Sequence, residues 1–193
     1  MIKMNETEHT NPAGAGETIK AFLTETQIAD RVKELAQLIT HDYADKPITL
    51  LGTLKGAVFF LADLAREITR HRETAELQLE FIKASSYGSS SVSSGEVKID
   101  FAPKKELTGR HLILVEDIID MGYTAEELLR YLCDQNPASL ALCALLDKPS
   151  RRKVSNIKID YLGFTIPDEF VVGYGLDYAQ RYRSLPYIGV LNT

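Results

Sequence analysis

The sequence predicts an α/β domain built on a mostly parallel sheet flanked by helices. Two observations carry that expectation. Leu112–Val115 and Leu140–Leu146 are continuous apolar runs bounded by polar residues, the composition of strands buried on both faces. Between and before them lie segments with apolar residues at helical spacing, joined by short connections, and strand alternating with helix is the pattern of βαβ units.

The elements follow in order. Thr24 or Thr26 can cap a helix whose apolar stripe is Ile28, Val32, Leu35 and Ile39 and which ends near His41. Ile48, Leu50 and Leu51 form a strand stopping at Gly52. Gly56 opens a second helix, Ala57 to Ile68, apolar nearly all round in its first half and so expected to be buried there. Leu77, Leu79, Phe81 and Ile82 read as a strand. The serine- and glycine-rich stretch from Ser85 to Gly95 has little to bury and is either filler or a lid. Val97, Ile99 and Phe101 alternate with polar residues, as the return arm of a hairpin does. Leu112–Val115 is a central parallel strand, followed by a helix with Ala125, Leu128, Leu129 and Leu132 on one face, and then by the strand Leu140–Leu146. Ile159, Leu162 and Phe164, then Phe170 to Val172, then Ile188 to Leu191 are further strand-like runs. Residues 1–18 are polar and lack the apolar stretch of a signal peptide; they are expected to form a mobile extension ahead of a single domain, residues 19–193.

The bulk properties bound the function. The chain has 193 residues, enough for one well-cored domain, with 45% hydrophobic and 25% charged residues. A formal charge of -5 argues against a broad nucleic-acid surface, and no apolar run is long enough for a membrane span, so a cytoplasmic protein without nucleic-acid or membrane partners is expected. Cys133 and Cys143 lie in apolar surroundings without metal-ligand spacing and read as buried free thiols. The four histidines show no ligand spacing, and Arg151, Arg152 and Lys153 read as a solvated basic face.

The informative segment is Val115-Glu116-Asp117-Ile118-Ile119-Asp120-Met121-Gly122-Tyr123-Thr124, which leaves a buried strand and enters a helix. Ligands of open α/β sheets bind beyond the carboxyl ends of strands. Gly122 permits a turn with positive φ, after which the amides from Met121 to Thr124 converge at a helix N-terminus, joined by the Thr124 hydroxyl. Convergent amides and the helix dipole suit a phosphate. Neither G-x-G-x-x-G nor G-x-x-x-x-G-K-[ST] occurs. Three carboxylates, Glu116, Asp117 and Asp120, precede the amides instead. Paired acids accept hydrogen bonds from the vicinal hydroxyls of a ribose and can hold Mg²⁺ directly or through water. The parts together fit a ribose carrying a 5-phosphate; the rival reading is a solvated acidic loop with a capping aspartate.

This segment resembles the 5-phosphoribosyl 1-pyrophosphate (PRPP) motif of the phosphoribosyltransferases, two acids followed by apolar-apolar-Asp-x-Gly-x-Thr. Four further segments narrow the resemblance to the hypoxanthine-guanine phosphoribosyltransferases. They are Leu51-Gly52-Thr53-Leu54-Lys55-Gly56, Ser85-Ser86-Tyr87-Gly88, Leu145-Leu146-Asp147-Lys148-Pro149-Ser150-Arg151-Arg152 and the run from Ile166 through Phe170 and Val171 to Tyr178. The five motifs stand in the family's order from about residue 24 onward. The resemblance implies a type I phosphoribosyltransferase fold, with a small hood and a flexible hairpin loop beside the central sheet. It implies Mg²⁺-dependent transfer of ribose 5-phosphate from PRPP to N9 of hypoxanthine, and of guanine, releasing pyrophosphate.

Residue roles come with it. Asp120 matches the general base that takes the purine N7 proton, Glu116 and Asp117 the acids on the ribose hydroxyls. Ile118 and Ile119 lead into the 5-phosphate cradle, which the amides of Asp120, Met121, Gly122, Tyr123 and Thr124 match. Lys148 matches the donor to the purine O6, which favours an oxo base over adenine by on the order of 10⁴-fold. Phe170 matches the ring stacked on the base, and the Val171 backbone the group reading its N1 and 2-position edge. Asp177 matches a Mg²⁺-linked carboxylate beside Glu116 and Asp117, and Arg183 a pyrophosphate contact. Leu54, Lys55 and Gly56 match the pyrophosphate loop, where the family often has a non-proline cis peptide. Ser86 and Tyr87 match the flexible loop that closes over the site. Family members are usually dimers or tetramers, so a homodimer or homotetramer is implied. Met121 and Tyr123 depart from the pattern: Met121 removes a hydroxyl donor worth ~1 kcal/mol toward the phosphate. A xanthine-preferring enzyme and a non-catalytic sensor of PRPP or nucleotide are the alternatives. The presence of Asp120 and Lys148 favours an enzyme.

Overall fold

The structure is a computed structural model that describes residues 17–72, 76–86, 97–103 and 106–192. Nine strands and three helices are described, in the order β1 (Thr18–Leu23), α1 (Glu25–Tyr43), β2 (Ile48–Thr53), α2 (Val58–His71), β3 (Leu77–Ser86), β4 (Val97–Phe101), β5 (His111–Ile119), α3 (Tyr123–Cys133), β6 (Ser139–Asp147), β7 (Tyr161–Thr165), β8 (Val171–Val172) and β9 (Ile188–Asn192). Of the two candidate caps for α1, Thr24 is used. Its hydroxyl accepts from the Gln27 amide at 3.2 Å while the Gln27 side chain accepts from the Thr24 amide at 2.9 Å, a reciprocal capping box.

Six strands form the main sheet in the order β4-β3-β2-β5-β6-β7, all parallel except the β3–β4 hairpin. Period-two alternation divides β5 and β6 between two cores. Ile113, Val115, Cys143 and Leu145 pack with α1 and α2, while Leu112, Leu114, Leu142 and Ala144 pack with α3. Burial on both faces is why these strands read as unbroken apolar runs. The chain leaves β2 through α2 toward β3, and leaves β5 through α3 toward β6 on the other side. The carboxyl ends of β2 and β5 are therefore neighbours whose exits diverge, the switch point at which such sheets bind ligands.

A second, three-stranded sheet, β1-β9-β8, closes over Ile19, Val172 and Leu191. This is the hood, and β1 had no counterpart in the sequence reading. Thr18, placed above in the extension, already pairs with Asn192. Six residues with only Ile19 and Leu23 buried give no readable period, and Gly189 is what allows close contact, since a Cβ there would stand 2.4 Å from Ile19 Cγ2.

Three expectations are corrected. Val58 and Phe59, in the half of α2 expected to be buried, are exposed, because only the side bearing Phe60, Leu61, Leu64 and Ile68 meets the core. Cys143 is a buried thiol, with its pKa pushed above the usual range by desolvation, but Cys133 is exposed at the end of α3. In the basic run 151–153, Arg151 and Arg152 are not a free solvated face but pair with Asp120 and Asp147, while Lys153 is exposed. Ser86 closes β3, whereas Tyr87 and the rest of the loop to residue 96 lie outside the described residues. Among the described residues no helix is long and apolar enough to cross a membrane.

Candidate active site

The turn after β5 forms as its residues require. Gly122 has φ +98 and precedes the first residue of α3, and its carbonyl accepts from the Glu126 amide at 3.0 Å. A Cβ at Gly122 would lie 2.7 Å from Ile157 Cδ1 and 3.1 Å from Arg152 Cδ, so both conformation and space select glycine. The first amides of α3 have no helical carbonyl to donate to. They open on a cavity of about 160 Å³ lined by Ile118 to Ala125, with Glu116 and, from the hairpin, Val97. This is a cradle of the right polarity for a phosphate.

The segment after β6 holds this turn from below. The amide of Lys148 donates to Ile119 O at 3.0 Å, and those of Lys153 and Val154 donate to Met121 O at 3.0 and 3.2 Å. Arg152 Nε donates to Asp120 O at 3.2 Å, and its guanidinium pairs with Asp147. Arg151 Nε donates to Asp120 Oδ1 at 3.1 Å. Arg151 and Arg152 thus face the acidic turn, a pairing that sequence distance concealed.

The acids sit at the switch point. Glu116 is 4% exposed, and desolvation together with the neighbouring Asp117 charge pushes its carboxyl up to about 8, partly offset by the Thr53 hydroxyl. Even so, Glu116 Oε1 and Thr53 Oγ1 make no well-formed hydrogen bond among the described residues. Asp117 is pushed up to about 6 by desolvation, although the amides of Ile118 and Asp117 and the charge of Arg183 favour its ionised form. A buried Glu116 with one oxygen unpartnered, beside a half-buried Asp117 that accepts from the Ile118 amide at 2.9 Å, fits a ligand that brings hydroxyl donors or positive charge.

The loop after β2 closes against that pair. The Leu54–Lys55 peptide is cis, as the resemblance implied. A Cβ on Gly56 would fall 1.5 Å from Asp117 Oδ2, so only glycine lets the loop lie this close. Gly175, with φ +108, packs in turn on Gly56 O. Arg183 pairs with Asp177 Oδ1 at 2.7 Å and donates to Gly175 O, while Asp177 Oδ2 accepts from the Gln180 amide at 2.8 Å. Lys55 Nζ reaches Gln180 Oε1 at 3.3 Å. Among the described residues no group of three or more His, Cys, Asp or Glu side chains converges as a metal site, so Glu116, Asp117 and Asp177 do not form a protein cage. A Mg²⁺ ion, which keeps several waters and shares substrate oxygens, needs only one or two carboxylates, and Glu116, with Oε1 unpartnered, next to Asp117 fits that requirement.

Beside the acids runs a cleft of about 500 Å³ whose walls include Asp117, Asp120, Lys148, Arg151, Phe170, Val171 and Asp177. Lys148 is 7% exposed, with Nζ donating to Glu169 O at 2.6 Å. Phe170 is 53% exposed, too open for a core residue, and its ring meets Tyr178 edge to face at 5.7 Å and 86°. Arg181 covers the Tyr178 ring at 5.3 Å and pairs with Glu17 at 2.6 Å, which links the open ring to the start of the hood. Val171 is buried in β8 opposite Val190. Of the expected residues, Tyr87 lies outside the described residues, and those other than Ser86 line or adjoin this continuous site. Thr53, Arg151, Arg152, Tyr178 and Gln180 belong to it too. No spacing signal marked them, and four of the five stand within a motif that also holds an assigned residue.

Residues 18–179 match the model of the phosphoribosyl transferase domain family. The chain is 46% identical over 174 residues to the hypoxanthine phosphoribosyltransferase of Escherichia coli K12, covering 89% of this chain and 94% of that protein. It is 47% identical over 172 residues to the hypoxanthine-guanine phosphoribosyltransferase of Bacillus subtilis strain 168, covering 89% and 92%. A crystal structure of a hypoxanthine-guanine phosphoribosyltransferase from Bacillus anthracis superposes with a TM-score of 0.82 at 42% identity, covering 89% of this chain and 97% of the other.

Proposed function

Because the chain belongs to the phosphoribosyl transferase domain family, we propose that it is a purine-salvage enzyme moving ribose 5-phosphate from PRPP to N9 of hypoxanthine or guanine. It has the type I fold of that family. The observation that carries the reading is the junction of two sites: a phosphate cradle and acid pair at the switch point open directly into a cleft with a buried lysine and an exposed aromatic ring.

Each group has a chemical task. The amides of Met121 to Thr124 hold the 5-phosphate, and Glu116 and Asp117 accept from the ribose hydroxyls. Lys55, Gly56 and Arg183 face the pyrophosphate. Lys148, held by Glu169 O, keeps donors for the purine O6 and would oppose the amino group of adenine. Phe170 stacks on the base while the Val171 backbone meets its N1 and 2-position edge. As the base nitrogen bonds to C1 of the ribose and pyrophosphate departs, Asp120 takes the N7 proton, and its negative charge favours the oxocarbenium character of the sugar. Mg²⁺ bound with PRPP would neutralise pyrophosphate oxygens, with Glu116, Asp117 and Asp177 as the residues to hold it, directly or through water. Ser86 and Tyr87 close over the site to exclude water as a competing nucleophile. The enzyme works as a cytoplasmic homodimer or homotetramer.

The test is nucleotide and pyrophosphate formation from PRPP and Mg²⁺ with hypoxanthine, guanine, xanthine or adenine. Turnover of hypoxanthine or guanine is expected and adenine is rejected. Turnover of xanthine alone would reassign the substrate, and PRPP binding without any product would make the protein a sensor.

A further inference from the structure

We propose that Arg151 is a positioning residue that acts through Asp120. By engaging one oxygen of that carboxylate, it turns the other toward the base cleft. The inference rests on the transfer reading above, which gives Asp120 a proton to accept.

The geometry is specific to one short segment. Lys148 begins it and Arg151 ends it, joined by a single 3₁₀ turn over Pro149–Arg151 in which the Arg151 amide donates to Lys148 O at 3.1 Å. This segment and the residues that follow it are tied to either side of Asp120, to Ile119 O through the Lys148 amide and to Met121 O through the Lys153 and Val154 amides. Arg152 takes the Asp120 carbonyl. The backbone of Asp120 is therefore bracketed before, at and after the residue, and the one freedom left to it is its side chain.

A carboxylate rotates easily about its last bond, because terminal sp³–sp² torsions are broad. Arg151 Nε removes that freedom by donating to Oδ1 at 3.1 Å. Its Nη1 stands 3.7 Å from Asp168 Oδ2, on the connection that leads to Phe170. The guanidinium plane is thereby held between the turn after β5 and the wall that carries the stacking ring, and the planar group fixes the direction of its Nε–H donor more tightly than a flexible ammonium would. The same four residues thus place both the donor to the purine O6 and the orientation of the acid that faces N7. Both partners are substantially exposed, with side-chain values of 43% for Arg151 and 36% for Asp120. Such a pair contributes little to stability, so its effect is expected in the chemistry and not in the fold.

The test is steady-state kinetics of wild type, Arg151→Ala, Arg151→Lys, Asp120→Asn and the double variant Arg151→Ala/Asp120→Asn, with hypoxanthine and PRPP varied separately and melting temperatures recorded. Arg151→Ala is expected to lower kcat by roughly tenfold, since small losses of alignment are felt strongly in the rate. The KM for PRPP should stay within about twofold and the melting temperature within about 2 °C. Arg151→Lys should recover part of kcat. On the Asp120→Asn background the loss of Arg151 should change kcat by less than about twofold, because the group it positions is gone. Unchanged kinetics in Arg151→Ala, an equal loss on both backgrounds, or a loss matched by a lower melting temperature would overturn the proposal. An inactive wild type would instead remove the transfer reading, and this inference with it.

Discussion

Replacing Glu116 with glutamine should make the free protein more stable at alkaline pH while weakening its hold on PRPP. In the unfolded chain the carboxyl ionises near 4.5, whereas in the fold burial and Asp117 push it up to about 8. Between those values the native state keeps a proton that the unfolded state has released, so raising the pH across this window weakens the fold. Below 4.5 both states are protonated and the penalty vanishes; above 8 it is complete. At about 1.4 kcal/mol per pH unit the upper bound is ~5 kcal/mol, and water entry on ionisation reduces it to about 2–3 kcal/mol. Glutamine has the shape of the protonated acid and carries none of this penalty. Its melting temperature should match wild type at pH 5 and exceed it by about 5–10 °C at pH 8.5. Asp117, raised from 3.8 to about 6, imposes its own decline with pH on both proteins, so the diagnostic comparison lies above pH 6. Thermal unfolding from pH 5 to 8.5 reads the effect, and PRPP titration at pH 8 reads the affinity. Parallel stability curves across that range would refute the claim that this carboxyl is desolvated.

Three further substitutions probe separate walls. Met121→Thr supplies the missing hydroxyl, and the KM for PRPP should fall about fivefold, the equivalent of ~1 kcal/mol, with kcat little changed; an unaltered KM would place the side chain away from the phosphate. Gly122→Ala adds a Cβ at φ +98 against Ile157, so urea unfolding should show a loss of about 1–3 kcal/mol and PRPP binding should weaken with it. Lys148→Met keeps the length and removes the donor, and kcat/KM for hypoxanthine should drop by about 10²-fold or more while the KM for PRPP holds. A comparable loss toward PRPP would mean that Lys148 supports the turn through its segment instead of reading the base.

Most of the architecture was legible because local and global signals agree. The strands β5 and β6 are apolar on both sides because helices cover both faces, and Gly122 is where a positive φ is needed. The hood was harder: β8 and β9 read as strand-like runs, but β1 buries only Ile19 and Leu23, so no period develops, and its pairing partner β9 lies at the far end of the chain. The same limit hid the basic run. Arg151 and Arg152 look like solvated charge until the fold carries them beneath Asp120, more than thirty positions earlier.

By itself, the sequence determined the class of the sheet and the glycine turn that leads from β5 into α3, because turns, caps and buried strands depend on short-range sterics and side-chain chemistry. Its motifs carried the resemblance from which the substrate-facing groups are proposed. Only the tertiary structure decided what each group is next to. Packing of Gly56 on Asp117 and Gly175 on Gly56, desolvation of Glu116, and the hold of the 148–154 segment on Asp120 all depend on distances between elements remote in the chain. Burial and charge at those contacts set protonation and orientation, and neither is a property of any one stretch of sequence.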